Sequence, residues 1–251
     1  MGRKETEVLG IDIGGSGIKG AVVNIKKGVL ATQRYRIPTP QPSTPDAVGD
    51  AVAQIVEHFQ WTDSIGCTFP AVVKEGVVYT AANVDKSWIG VNGSKLLKEK
   101  TRCPVLLIND ADAAGIAEMT FGVGKGHRGV VFMITLGTGI GSAIFVNGSL
   151  LPNTELGHIE MSGMEDIEPY ISDLTRKKEK LSWHEWAARV NEYLNLLEAL
   201  FSPDLFILSG GVSKKHQKYL PLLHTQAQIV PAQLLNEAGI VGAALAAKGL
   251  R

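Results

Sequence analysis

A strand, a glycine-rich turn and a second strand occur twice in this chain, 123 residues apart. That repeat restricts the fold more than any other feature. "VLGIDIGGSGIKGAVVN" runs from Val8 to Asn24, and "GVVFMITLGTGIGSAIFVNG" covers 129–148. Aligning Gly14 with Gly137 sets Ala21-Val22-Val23-Asn24 against Ile144-Phe145-Val146-Asn147. An offset near half of the 251 residues implies an internal duplication. A chain of this length can bury one large core or two smaller ones.

The first copy spells G-x-G-x-x-G at Gly15, Gly17 and Gly20. A dinucleotide site would need a helix after those glycines and an acidic residue about 20 positions on. Ala21-Val22-Val23 is instead a β-branched run that reads as a strand, and "YRIPTP" from Tyr35 offers no carboxylate. The glycines therefore close a hairpin, whose successive backbone N–H groups can form an anion nest. Two such hairpins facing each other could clamp a polyphosphate chain.

Lys+Arg and Asp+Glu are equal at 25 each, so no basic field points to nucleic acid. Cys67 and Cys103 are too isolated for a disulfide scaffold or a metal ribbon, which favours a reducing cytoplasm. No apolar run approaches the roughly 18 to 20 residues of a membrane helix, and "MGRKET" lacks the apolar core of a signal peptide. It does match the short N-myristoylation pattern, with no other membrane signal beside it.

Between the repeats, Thr44 and Pro45 open a helix whose apolar face is Val48, Val52, Ile55, Val56 and Phe59. "SIGCTFPAVV" and "GVVYTAAN" read as strand and loop, and "PVLLIND" as a buried strand running into the helix "ADAAGIAEM". In the last third, Ser182 and Glu185 form a capping box. Trp183, Trp186, Ala187, Val190, Tyr193, Leu194 and Leu197 then lie on one core-facing side. "DLFILSGGVS" is a strand with a third glycine turn, and "NEAGIVGAALAAKGL" is a small-residue helix suited to close packing on a sheet.

Asp12 ends an apolar strand just before the first glycine turn, where a carboxylate can hold Mg²⁺ against transferring phosphates or simply stabilise the turn. Ser16 and Lys19 offer a hydroxyl and a cation, and Thr138 and Gly139 the counterparts in the second hairpin. Asp110 falls where a strand meets a helix, placing it as a base or as a helix cap. Asp112 is taken as structural. Glu155 and His158 share the E-x-x-H spacing of carboxylate-bridged metal sites, but Gly157 and the preceding "LPNT" favour a loop. His158-Ile159-Glu160 echoes the H-x-E of zinc deaminases without their P-C-x-x-C.

Taken together, "DIGGSGIKG", "NDADAAGIAE", "LGTGIGSAIFVNG", "ELGHIEM", "LSGGVSK" and "NEAGIVGAAL" resemble the ROK sugar kinases, in that family's order and across nearly the whole chain. The resemblance implies an α/β chain with the duplicated actin-like/hexokinase-like (ribonuclease H-like) two-domain ATPase fold and an active site in the interdomain cleft. The expected boundaries are a smaller domain at 1–109 and a larger one at 110–251, with the last helix able to return to the first. Asp110 becomes the catalytic base, and Asn83, Asn109, Glu155, His158 and Glu168 the sugar ligands, with Ser172 completing an E-x-x-x-S after Glu168. Asp12, Gly14, Gly15, Ser16, Gly17, Lys19, Gly137, Thr138, Gly139, Gly211 and Lys214 become the donor-phosphate residues. The implied metal is Mg²⁺ at Asp12.

The chain departs from many members of the family after "ELGH". "MSGMEDIEPYIS" carries no cysteine where they have a zinc cluster, so no zinc is expected. That absence, and "DIGGSGIKG" itself, match the polyphosphate-using branch. The implied substrates are glucose and inorganic polyphosphate, with ATP open as a second donor and mannose or an amino sugar as alternative acceptors. Lys214, Lys215, His216 and Lys218, and also Lys125, His127 and Arg128, either extend a cationic path for the donor or form solvated faces. "TRKKEK" at 175–180 reads as a solvated loop. With seven residues before Val8, a DNA-binding domain ahead of the first strand is not expected. A homodimer is implied by the resemblance alone.

Overall fold

Leu9, Ile11 and Ile13 alternate with Gly10, Asp12 and Gly14, so the first strand has an oily face and a face of small or polar residues. In the computed structural model, which describes residues 6–82, 84–161 and 163–250, this strand is β1 (Glu7–Gly14). The myristoylation pattern and Asn83 lie outside or partly outside the described residues. The described chain forms two compact units, one reaching to Ala117 and including the segment from Glu237 onward, the other Glu118–Asn236.

In the first unit β1 pairs antiparallel with β2 (Gly17–Asn24), closing on Gly14 opposite Gly17. After β3 (Val29–Leu30) and β4 (Tyr35–Ile37) comes α1 (Pro45–His58), whose Thr44 side chain accepts from the Ala47 N–H at 3.4 Å. Then follow β5 (Ile65–Phe69), the short hairpin β6 (Val73–Lys74) and β7 (Val77–Val78), α2 (Gly93–Thr101), β8 (Val105–Asn109) and α3 (Asp110–Phe121). The sheet order is β3-β2-β1-β5-β8, with β4 also on β2, and β1, β5 and β8 run parallel. Leu9, Ile11 and Ile13 pack with Val48, Val52 and Ile55 of α1 in one core.

The second unit repeats this plan. It comprises β9 (Val130–Leu136), β10 (Ile140–Val146), β11 (Ser149–Leu151), α4 (Glu168–Ile171), α5 (Asp173–Lys178), α6 (Trp183–Phe201), β12 (Leu205–Ser209) and β13 (Gln228–Pro231). Its sheet order, β11-β10-β9-β12-β13, has the same pattern of antiparallel and parallel neighbours as the first. The 123-residue offset carries Glu7 onto Val130 and Gly17 onto Ile140, so the repeat seen in the residues is a repeat of sheets. The capping box of α6 is formed, and the helix buries Trp186, Ala187, Val190, Tyr193, Leu194 and Leu197.

The last helix, α7 (Ala238–Ala246), belongs to the first unit and lies on the glycine face of its sheet. A Cβ on Gly10 would overlap the Ile240 carbonyl, and one on Gly66, its register partner, the Ala243 carbonyl. Gly242 meets the Ala113 carbonyl of α3 in the same way. Backbone rather than side chain fills these contacts, so only glycine permits the approach.

Residues 175–178 are helical where a loop is expected, and Lys177 to Lys180 are exposed as a solvated stretch would be. Ser172 caps α5, and Asp173 takes Arg176 at 2.7 Å and Lys177 at 2.6 Å on the i+3 and i+4 positions. The Arg176 guanidinium also lies 4.0 Å from the centre of the Trp183 ring. Pairing and stacking order a stretch whose composition alone reads as soluble charge.

Glu118 of α3 is fully buried and accepts from the backbone N–H of Leu234 at 2.6 Å and of Val123 at 3.2 Å. Burial pushes its carboxyl above the ordinary carboxylate value against those hydrogen bonds. Glu118→Ala strands both donors, and a loss of about 2 kcal/mol is expected in chemical denaturation.

Candidate active site

Parallel strands present their carboxyl ends on one edge of a sheet, where α/β proteins bind ligands. In the first unit β1 delivers Asp12 and the Gly15-Ser16 turn to that edge, and β8 delivers Asn109 and Asp110. β5 lies between them, and Asp12, Thr68 and Ile108 share one register. Asp12 is held on both oxygens: Thr68 Oγ1 donates to Oδ1 at 2.9 Å, and Lys19 Nζ to Oδ2 at 3.3 Å. Gly239 in the first turn of α7 comes close to Oδ1, where a Cβ would stand 3.3 Å from that oxygen.

Asn109 and Asp110 divide the labour at the start of α3. The buried Asn109 side chain accepts from the N–H groups of Ala111 at 2.9 Å and Asp112 at 3.1 Å, and donates to the Ala71 carbonyl at 3.1 Å. It therefore caps the helix, and one of its two amide N–H donors remains for a ligand. Asp110 is exposed, with Oδ1 accepting from its neighbour Ala111 N–H at 2.8 Å. Asp112 is buried.

In the second unit the site residues gather at the start of β10. Gly137, Thr138 and Gly139 form the turn between β9 and β10, closed by Gly137 N–H on the Gly139 carbonyl at 3.0 Å. Glu168 Oε2 accepts from the Ile140 N–H at 2.7 Å and rests against Gly139, where a Cβ would meet it. The 3₁₀ turn Leu156–His158 packs on Ile140, and Gly157 must be glycine there because a Cβ would stand 2.5 Å from the Ile140 carbonyl. The loop reading of "ELGH" thus holds, with Gly157 as its reason. Long-range bonds from α6 fix this shell: Tyr193 Oη donates to the Leu156 carbonyl at 3.2 Å and Trp186 Nε1 to the Ile171 carbonyl at 2.8 Å.

His158 lies between carboxylates. Its Nδ1 is 3.1 Å from Asp166 Oδ2 and its Nε2 is 3.9 Å from Glu155 Oε2. Burial alone would depress His158, but the Asp166 hydrogen bond and the charges of Asp166, Glu155 and Glu168 push it above the ordinary histidine value. Burial raises Glu155, His158 lowers it and Glu168 raises it further, leaving it above the ordinary carboxylate value. A histidine raised in the folded state contributes stability that is full below its unfolded pKa and is lost as pH climbs through the folded one. The thermal midpoint is therefore expected to fall as pH rises from about 6.5 through the raised value, and Asp166→Asn to flatten that decline. Melts across this range check it.

The third glycine turn follows β12 on the same edge as the 137–139 turn, since Ser209 pairs with Thr135. Gly210 has φ +86° and abuts the Leu136 backbone, whereas a Cβ on Gly211 meets open space. Lys214 is exposed on the 3₁₀ turn Ser213–Lys218 that comes next. Lys125, His127 and Arg128 precede β9 and so occupy the opposite end of that sheet, about 20 Å of strand away from the turn. The two basic clusters do not form one path within this unit.

Three residues of the site have no signal in the sequence. Thr68 orients Asp12, Asp166 orients His158 and also takes the Glu168 N–H at 3.0 Å, and Arg36 donates to the Ser16 carbonyl at 2.6 Å. All are partners across strands or loops, which spacing along the chain does not reveal.

Two sheets of identical strand order, each ending in glycine turns at the carboxyl edge, define the duplicated α/β fold shared by actin-like and hexokinase-like proteins. The model of the ROK family matches residues 8–170. The chain belongs to the ROK family. It is similar to the polyphosphate glucokinase of Mycobacterium tuberculosis H37Rv, with 49% identity over 241 residues, covering 95% of this chain and 90% of the relative. Among solved structures it is similar to an inorganic polyphosphate/ATP-glucomannokinase from Arthrobacter sp. strain KM. The TM-score is 0.92 at 49% identity, with 96% of this chain and 98% of the other covered. A ROK family glucokinase from Streptomyces griseus, solved with glucose and AMPPNP, gives a TM-score of 0.82 at 25% identity, covering 96% and 99%.

Proposed function

We propose that this chain is a kinase that transfers the terminal phosphoryl group of inorganic polyphosphate to the 6-hydroxyl of glucose, yielding glucose 6-phosphate. The observation that carries this reading is the 49% identity over 95% of the chain to a polyphosphate glucokinase. The arrangement of the side chains supports it. Phosphoryl transfer requires placement of donor and acceptor, neutralisation of phosphate charge, and a group to take the hydroxyl proton. Asp110 takes the proton from the attacking 6-hydroxyl. Glu155, His158 and Glu168 accept and donate to the other sugar hydroxyls, with Asn109 offering its second amide hydrogen.

The turns at 15–16 and 137–139 and the ammonium of Lys19 receive the donor's phosphate oxygens. Asp12 suits Mg²⁺, which keeps several waters and takes one or two carboxylates together with substrate phosphates. Among the described residues no cluster of three or more His, Cys, Asp or Glu offers an all-protein metal site, so a cation at Asp12 would depend on the donor. When bound, it would neutralise charge on the phosphates.

A second reading adds ATP as a donor and mannose as an acceptor, favoured by the 49% identity to the polyphosphate/ATP-glucomannokinase. A homodimer and a cytoplasmic setting belong to the same proposal. The buried free thiols Cys67 and Cys103 agree with a reducing compartment, and light scattering tests the dimer. Purified protein with glucose and Mg²⁺, given polyphosphate or ATP in turn, should form glucose 6-phosphate fastest with polyphosphate. Product with ATP alone would reverse the donor assignment, and none with either would remove the kinase reading.

A further inference from the structure

Four residues line up across four neighbouring strands of the first sheet. Thr68 on β5 faces Asp12 on β1, Asp12 faces Lys19 on β2, and Lys19 faces Arg36 on β4. Direct partners share a face, so their side chains form one row. Lys19 and Arg36 lie one and two strand spacings from Asp12, about 5 and 10 Å along the sheet. Like charges directly opposite are unfavourable, and Asp12 compensates only one of the two cations, through the 3.3 Å pair with Lys19. The second positive charge at Arg36 has no carboxylate partner among the described ion pairs.

Arg36 is nevertheless held in a defined place. Its Nη2 donates to the Ser16 carbonyl at 2.6 Å, and its guanidinium lies over Gly17. A Cβ on Gly17 would stand 2.5 Å from Nε and 2.7 Å from Cζ and Nη2. Gly17 has no need of glycine for its dihedral angles, since its φ is not positive. The missing side chain makes room for the guanidinium. An exposed arginine anchored by one of its five N–H groups presents the rest of a planar fork, a geometry that matches phosphate oxygens.

We propose that Arg36, seated on Gly17, is a donor-binding residue that contacts phosphates beyond the one transferred and thereby favours a long phosphate chain over a nucleoside triphosphate. This rests on the kinase reading above. The row runs from Asp12, at the transferred group, through Lys19 to Arg36, so the arginine meets the part of the donor farther from the chemistry. The second hairpin has no such row. The equivalent of Lys19 is Ser142, which is buried and bonded to Thr154.

The test compares wild type, Arg36→Gln, Arg36→Lys and Gly17→Ala. KM is measured for long-chain polyphosphate, ATP and glucose, and binding of long-chain polyphosphate without glucose by equilibrium dialysis. Arg36→Gln should raise KM and Kd for polyphosphate about 10- to 100-fold, the loss of charge-assisted hydrogen bonds. It should shift KM for ATP less and KM for glucose less than twofold. The slope of log Kd against log salt should fall by about one, as when one phosphate contact is lost from a polyanion complex.

Gly17→Ala keeps the charge but displaces the flexible guanidinium, so polyphosphate binding should weaken with the thermal midpoint preserved. Arg36→Lys should recover part of the affinity and the full salt slope. An Arg36→Gln protein with wild-type polyphosphate affinity and salt slope overturns the proposal, as does equal weakening of polyphosphate, ATP and glucose, which marks a merely structural turn clamp. Wild type that neither binds nor uses polyphosphate instead removes the functional reading itself, a result the variants are not needed to reveal.

Discussion

Asp110→Asn is expected to lower kcat for glucose phosphorylation about 10²- to 10⁴-fold, with little change in KM for either substrate. The substitution keeps the size of the side chain and an oxygen that can still accept from the Ala111 N–H, now at 2.8 Å. It removes the ability to take a proton. Helix α3 should not suffer, because its capping bonds come from Asn109. A loose transition state, with little bonding to the incoming oxygen, leaves the hydroxyl proton in place until late and puts the effect near the lower limit. Steady-state kinetics with a thermal melt on the same preparation separates chemistry from folding. Full turnover in this variant would dismiss Asp110 as the base and leave the family and fold untouched.

Gly66→Val should act on the fold instead. Valine suits a strand, so propensity alone forecasts no harm at this β5 position. The Cβ would overlap the Ala243 carbonyl of α7, and a helix backbone cannot turn aside as a side chain can. Overpacking of this kind costs roughly 3 kcal/mol or more, a large part of the about 5 to 15 kcal/mol that holds a typical protein folded. The expected fall in thermal midpoint is about 6 to 12 °C. Gly211→Ala supplies the contrast, since its Cβ meets open space and its φ is not positive. A Gly66→Val protein that melts within about 2 °C of wild type would show that α7 is not seated on the sheet as described.

Both experiments probe features of different legibility. The duplicated hairpins were readable because β-branched runs and glycine turns are local signals, and the two sheets bear out the repeat. The offset did not carry the register with it. Ile13 faces Ile18 in the first hairpin, whereas the equivalent Leu136 faces Ile140 in the second. A one-residue shift changes which side chains share a face. Asp12 and Lys19 are thereby partners, while their equivalents Thr135 and Ser142 are not. Similar letters in the two turns thus support different electrostatics, and only pairing geometry reveals it.

The candidate site divides in the same way. Asp110, Glu155, His158 and Glu168 stand in short motifs, and the structure collects the last three around the start of β10. The residues that orient Asp12 and His158, Thr68 and Asp166 respectively, are joined to them by folding, not by spacing. Asn109 sat in a recognisable motif, and its capping bonds to Ala111 and Asp112 are local, but its donation to the Ala71 carbonyl required β8 to meet the loop after β5. Residues 175–178 misled because charge content says nothing of the Asp173 side chain that pairs with it.

Transfer to the 6-hydroxyl of glucose is tested by the position of the transferred phosphate. Wild-type protein, glucose, Mg²⁺ and long-chain polyphosphate would be followed by ³¹P–¹H correlation spectroscopy. A phosphate ester coupled to the C6 methylene protons of glucose is expected, growing as terminal phosphate is drawn from the chain. Release of orthophosphate alone, or an ester coupled to the C1 proton, would contradict it.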